Sequence, residues 1–142
     1  MLRISRLTDY ATVILASLGG GALASAADIA LRTHIGVPTV SKLLKQLQHA
    51  GLVRSVRGAH GGLQLGRPAA AITVADIVEA IEGRIALTAC IDHTPCDFEA
   101  GCNMKPHWPI INNALRGALA GITLAQLRGP VAHMATSEDH LA

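Results

Sequence analysis

Aromatic residues are almost missing from this 142-residue chain: Tyr10, Phe98 and Trp108 are the whole set. A core of large flat rings is excluded. Because half of the residues are hydrophobic, the interior must be assembled from Leu, Ile, Val and Ala, a composition that favours small helical elements. Charge is also sparse, at 15% Asp, Glu, Lys and Arg, yet no run approaches the roughly 18 apolar residues that a membrane span requires. No GxxxxGK phosphate loop is present, so Gly19-Gly20-Gly21 reads as a helix stop. Internal repeats, low-complexity linkers and HxxxH pairs are absent as well, and the length favours one domain with a modest core.

What charge there is falls unevenly. Residues 1–67 carry eight Lys or Arg against Asp9 and Asp28, a net of +6, while residues 68–142 carry four against eight acids, a net of −4. A basic first half suggests a polyanionic partner, unless its charges are simply scattered over solvated surface. Arg3 and Arg6, followed by ATVILASL and Ala24-Ser25-Ala26, imitate a secretory signal. Asp9 interrupts the imitation, and Leu7, Ala11, Ile14 and Leu18 share one face of an amphipathic helix. An odd number of cysteines also suits no secreted disulfide framework. The expected compartment is the cytoplasm, where thiols stay reduced and available as ligands.

The first helix is expected to start near Ser5 or Thr8 and to end in the glycine run. Ser25 and Asp28 make a capping-box variant for a second helix over roughly 26–33, followed by the short turn His34-Ile35-Gly36. Pro38 suits the first turn of a third helix, and Gly51 suits the position beyond its end. Val40, Leu43, Leu44 and Leu47 form the buried stripe of that helix. Pro38, Thr39, Ser41, Lys42, Lys45 and Gln46, with His49, make a basic, hydrogen-bonding surface on the other side.

A short helix, a turn and a helix with one basic face make a helix-turn-helix candidate. LVRSVR (52–57) and LQLGR (63–67) then read as two short strands around Gly58-Ala59-His60-Gly61-Gly62, a wing decorated by Arg54, Arg57, His60 and Arg67. The alternative is a solvated hairpin on a helical bundle, but a helix pair beside a basic wing favours double-stranded DNA as the partner. Ser41, Lys42, Lys45 and Gln46 would enter the major groove, where Gln can read adenine and Lys can reach guanine acceptors. Arg54, Arg57 and His60 would meet phosphates or the minor groove and supply salt-dependent affinity.

Thr73 and Asp76 form a second capping box, opening a helix with Val74, Ile77, Val78 and Ile81 on one face and Gly83 beyond its end. Further on, Pro109 can begin a long helix in which Ile111, Leu115, Ala118 and Ile122 recur at helical spacing, widened by Trp108 and Leu119. Gly117 and Gly121 would let another backbone approach. So apolar a helix needs more cover than a short chain offers, which makes a homodimer the expected assembly. The expected division is a winged helix-turn-helix domain over 1–83, a cysteine loop over 84–107, a dimerisation helix over 108–129 and a flexible tail over 130–142. The fold class is mainly α with a small β wing.

All three cysteines, Cys90, Cys96 and Cys102, lie on that loop, each separated from the next by five residues. Thiolate sulfur is a soft ligand suited to iron-sulfur clusters or zinc. Zinc as Cys3His with His107 is one alternative, though zinc pairs are more often spaced CxxC. A metal-free thiol switch is another. A cysteine nucleophile with His93 or His107 as base lacks any third, orienting group, so neither an enzyme nor a small-molecule substrate is expected. Asp92, His93, Asp97 and Glu99 read as solvated loop polars.

Between Leu2 and Gly129 the chain resembles the iron-sulfur-sensing winged-helix regulators of the IscR, NsrR and SufR-like kind. The resemblance rests on LTDYA near the start, HAGLVRSVRGAHGGLQLGRPAAAIT through the wing, DIVEAIEG and the three-cysteine loop. CNMKPHW followed by IN is most similar to the regulators tied to SUF-type cluster assembly operons. The resemblance implies a dimer with crossed long helices and a cluster near the N-terminal end of each. It also implies a repressor of iron-sulfur assembly genes, with a nitric-oxide or redox-sensing repressor of the same fold as the alternative. In the IscR pattern a histidine lies three positions after the third cysteine, where this chain has Lys105; His107 comes two positions later. In the NsrR pattern an aspartate of the other subunit completes the set, and Asp9 matches it. The resemblance therefore favours Cys90, Cys96, Cys102 and Asp9 around a 4Fe-4S cluster, with His107 as alternative fourth ligand and 2Fe-2S as alternative cluster.

Overall fold

The computed structural model describes residues 2–129. The expected tail beyond 129 lies outside the described residues. Six helices and one antiparallel hairpin follow in the order α1 (Arg6–Leu18), α2 (Ala26–Thr33), α3 (Val37–His49), β1 (Val53–Val56), β2 (Gly62–Leu65), α4 (Val74–Glu82), α5 (Trp108–Ala120) and α6 (Leu124–Arg128). Single 3-10 turns occupy Ala69–Ala71 and Glu99–Gly101. No helix among the described residues is long and apolar enough to cross a membrane.

Local chemistry sets the boundaries. Ser5, Ser25 and Thr73 accept a hydrogen bond from the third backbone N–H of α1, α2 and α4, and Asp28 and Asp76 complete reciprocal boxes. The core is aliphatic: Ile14, Leu15 and Leu18 of α1, Ile29 of α2, the stripe Val40, Leu43, Leu44 and Leu47 of α3, and Ile77 of α4 pack together. The hairpin joins Val53 to Leu65 and Val56 to Gly62, and Ala24 adds a bridge to Leu63 beside it. At the wing tip a Cβ on Gly61 would lie 2.2 Å from the Val56 carbonyl oxygen, so only glycine fits that turn.

The C-terminal third departs from expectation. In place of one helix over 108–129 the chain forms α5 and α6, parted at Gly121 and restarted by a Thr123–Gln126 capping box. The break occurs because residues 122–124 join the winged core: Val74 donates to the Ile122 carbonyl, Leu124 donates to Ile72, and Leu124 is 0% exposed. Arg128 then donates to the Ala16 and Gly19 carbonyls at the end of α1, at 3.0 and 2.8 Å. An α1 terminus without basic residues of its own is thereby capped from the far end of the chain.

The inward face of α5 keeps Trp108, Leu115 and Leu119 of the expected stripe but includes Asn112, while Ile111 and Ala118 are exposed. Trp108, Leu115 and Leu119 are half-buried and Asn112 is buried, with Leu115 and Leu119 against Ala75, Val78 and Ile85. Arg116 reinforces the contact through two bonds to Glu79, at 2.9 and 3.1 Å. Ile110 and Ile111 point outward, 69% and 41% exposed.

Candidate metal centre and nucleic-acid interface

The loop from Gly83 to His107 is pinned at both ends. At its start Asn112 holds the backbone from both sides, accepting from the Leu87 N–H at 2.9 Å and donating to the Ile85 carbonyl at 3.0 Å. At its end His107 and Trp108 donate to the Met104 carbonyl. The first-turn N–H groups of α5 are thus partly spent: Ile110 and Ile111 donate to His107, which leaves the helix dipole but few free donors for an anion.

Between these pins Cys90, Cys96 and Cys102, all free thiols, line one cavity of about 170 Å³ together with Thr88, Ala89, Glu99, Lys105 and Trp108. Cys90 Sγ lies 3.0 Å from the Thr88 hydroxyl. Lys105 forms an ion pair with Glu99 on the same wall. That bond and the carboxylate charge raise Lys105 above the ordinary lysine range, with smaller help from Cys90 and Cys102, and they hold Glu99 below the usual carboxylate range. Three thiols facing one cavity fit the donor set of an iron-sulfur group. Among the described residues no three His, Cys, Asp or Glu side chains converge on a point that a single metal ion could fill. Mononuclear zinc needs that convergence, at about 2.3 Å from each sulfur; a cluster that gives each thiolate a separate iron does not.

Of the two expected fourth ligands, His107 stands outside this lining, and Asp9, expected from a second copy, lies away from the cavity of its own chain. Asp9 is exposed in the first turn of α1, and His107 is exposed at the N-cap of α5. Glu99, expected to be a solvated loop polar, lines it instead.

A carboxylate couples this region to α1. Glu82 ends α4 immediately before the loop and accepts from the Ser5 N–H at 3.0 Å and from the buried Thr8 hydroxyl at 2.5 Å. The Thr8 bond, then the Ser5 bond, hold its carboxyl below the ordinary range. Sequence reasoning missed Glu82, which reads as helix surface, and Asn112, which reads as a polar residue on an apolar helix.

On the opposite part of the molecule α3 presents Pro38, Lys42 and Lys45 to solvent, with Thr39 and Ser41 half-buried beside them. The left-handed backbone of His34 (φ 58°) turns α2 into α3. Gln46 is half-buried, and its side-chain Oε1 is buried with no hydrogen-bond partner among the described residues. Gln48 donates to Ser55 at 2.9 Å and joins α3 to the wing. Arg57 and His60 are exposed on the wing. Arg54 stands opposite Gln64, whose amide oxygen, turned toward it, accepts two guanidinium N–H groups at 2.6 Å. Arg67 is tied to Asp76 at 3.2 Å.

Residues 4–129 match the Rrf2 family, described as iron-dependent transcriptional regulators. An HTH-type transcriptional regulator of Haemophilus influenzae is 36% identical over 107 residues, 75% of this chain and 71% of that protein. Among solved structures, CymR (YrzC), the global cysteine regulator of B. subtilis, is similar with a TM-score of 0.70 and 31% identity, over 90% of this chain and 97% of CymR. T. potens IscR is similar with a TM-score of 0.64 and 32% identity, over 89% and 85% of the two chains.

Proposed function

The chain belongs to the Rrf2 family of iron-dependent transcriptional regulators, and from that premise we propose a homodimeric repressor whose hold on DNA depends on an iron-sulfur group kept by Cys90, Cys96 and Cys102. It is a regulator and not an enzyme, as its relatives are. The carrying observation is the meeting of all three thiols in one cavity on a loop whose neighbour, Glu82, grips the first turn of α1. When bound, the group supplies iron-sulfur bonds that oxygen, nitric oxide or iron shortage can break. The SUF-type resemblance makes iron-sulfur assembly genes the proposed targets. A 4Fe-4S group has one more iron than this chain has cysteines, and the family pattern completes it with Asp9 of a second copy or with His107.

The chain's own part in switching follows from its contacts. The loop is fixed between Asn112 and His107, and Glu82 at its head is held against Ser5 and Thr8. Release of the loop loosens α4 from α1 and lets the winged domain rotate. Two recognition helices must sit about 34–36 Å apart to enter successive major grooves on one DNA face, so a small rotation is enough to spoil joint docking. The outward Ile110 and Ile111, beside the small residues Ala114, Gly117 and Ala118, support α5 as the pairing surface of that dimer.

Anaerobically purified protein should be brown, with iron and sulfide in comparable amounts, and Cys96→Ala should be colourless. Loss of the colour should change operator affinity. A colourless wild type carrying zinc, or equal operator binding with and without the group, would refute the proposal. The likeness to the cysteine regulator CymR supports a second reading, a metal-free thiol sensor, for which the same spectrum would be blank while thiol oxidation altered DNA binding.

A further inference from the structure

The cavity contains a donor that neither the family description nor the cysteine pattern assigns. We propose that Glu99 is an in-chain ligand for the fourth iron of the group held by Cys90, Cys96 and Cys102, and that Lys105 is its counter-ion whenever that iron is missing. The proposal rests on the cysteines holding a cluster, as argued above.

Position is the first support. Glu99 lies three residues after Cys96 and three before Cys102, on the 3-10 turn Glu99–Gly101 between them. Its backbone N–H donates to the Cys96 carbonyl at 3.1 Å, which fixes the turn relative to that cysteine. Its side chain shares the wall of one small cavity with all three thiols. Among the described residues no other carboxylate and no imidazole of the same chain lines that cavity.

Chemistry is the second. A cubane with four irons and three thiolates leaves one corner for a non-sulfur donor, and carboxylate oxygen is a competent ligand to iron. The Glu99 carboxylate oxygen accepts from the Lys105 ammonium. Binding would then be an exchange: the Glu99–Lys105 ion pair opens, one carboxylate oxygen bonds to iron, and Lys105 keeps its proton and turns to solvent. Nothing is oxidised or reduced. Because oxygen is a harder donor than thiolate, this corner would be the first to lose its iron, and Lys105 would recapture the freed carboxylate.

The test compares anaerobically reconstituted wild type with Glu99→Gln, Glu99→Cys, Asp9→Asn and His107→Gln by native mass spectrometry during titration with a mild iron chelator. Far-UV circular dichroism checks that each variant is folded. The expected result is that Glu99→Gln falls from about four irons per chain toward about three at chelator levels the wild type withstands, and that Glu99→Cys holds the fourth iron more firmly than the wild type. Lys105→Met, which removes the competitor, should also retain iron longer. If Glu99→Gln matches the wild type, or if Glu99→Cys fails to hold the fourth iron, the assignment is overturned. If Asp9→Asn or His107→Gln alone loses it, the fourth ligand is theirs. A wild type that takes up no iron at all would instead refute the underlying cluster proposal, so the two failures are distinguishable.

Discussion

Replacing Asn112 by Leu should cost far more than a substitution on a helix surface. The side chain is 5% exposed and makes two bonds to one backbone segment, at 2.9 Å to Leu87 N–H and 3.0 Å to Ile85 C=O. Leucine fills similar space but satisfies neither group. Each lost bond contributes about 1 kcal/mol net, and a buried group left without a partner costs about 1 to 3 kcal/mol more. Leu87 is half-buried, so water can reach its N–H in part, whereas the bond to Ile85 is buried. Added apolar burial returns about 1 to 2 kcal/mol, which leaves a net loss of about 2 to 3 kcal/mol. With a urea dependence near 1.5 kcal/mol per molar, the midpoint should fall by about 1.5 to 2 M. The assay is urea unfolding at one fixed protein concentration with a chelator present, because bound ligands or self-association shift the midpoint. Asn113, exposed next door, is the control, and Asn113→Leu should stay within about 0.5 kcal/mol of wild type. Equal midpoints for the two variants would refute the assignment of Asn112 as the anchor of the cysteine loop.

Two further outcomes follow. Glu82 has a folded pKa held below its ordinary 4.5, so its stabilisation is complete above pH 4.5 and is lost as pH falls through the depressed value. Glu82→Gln should therefore be less stable than wild type at neutral pH, with the gap closing below pH 4.5; a gap that stays constant to pH 3 contradicts the tether. Lys42→Ala on α3 and Arg57→Ala on the wing should each weaken operator binding, and the slope of log affinity against log salt should drop by about one per phosphate contact removed. An unchanged slope in both would place the DNA elsewhere.

Much of the winged domain is legible in residue order because its signals are local. Ser25 with Asp28 and Thr73 with Asp76 mark helix starts, Gly19 and Gly51 mark stops, and Val40, Leu43, Leu44 and Leu47 point one way. The C-terminal third is harder to read for a physical reason. Residues 108–122 are apolar on several sides, so helical spacing finds Trp108, Leu115 and Leu119 but does not show that Ile111 turns outward and the polar Asn112 inward. A signal for the break was present: Thr123 and Gln126 form the same kind of capping box as the earlier helices. The candidate site divides likewise. The cysteines announce themselves by type, whereas Glu99 and Glu82 read as ordinary surface acids until the fold sets one beside the thiols and the other beside Ser5 and Thr8. Gln46 shows the reverse, a polar residue in the basic surface expected on α3 whose oxygen is buried.

The bond from Arg128 to Ala16 and Gly19, with Leu124 sealed beneath it, bears on the order in which the newborn chain can mature. A protein leaves the ribosome from its first residue onward, at about 5 to 20 residues per second. The N-terminal helices emerge early but wait, with an open seam, for residues 122–128 to close it. The cysteine segment emerges in that interval, before the seam is closed. A chain cut short ahead of Leu124 would leave the N-terminal core unsealed as well as lose its last helix.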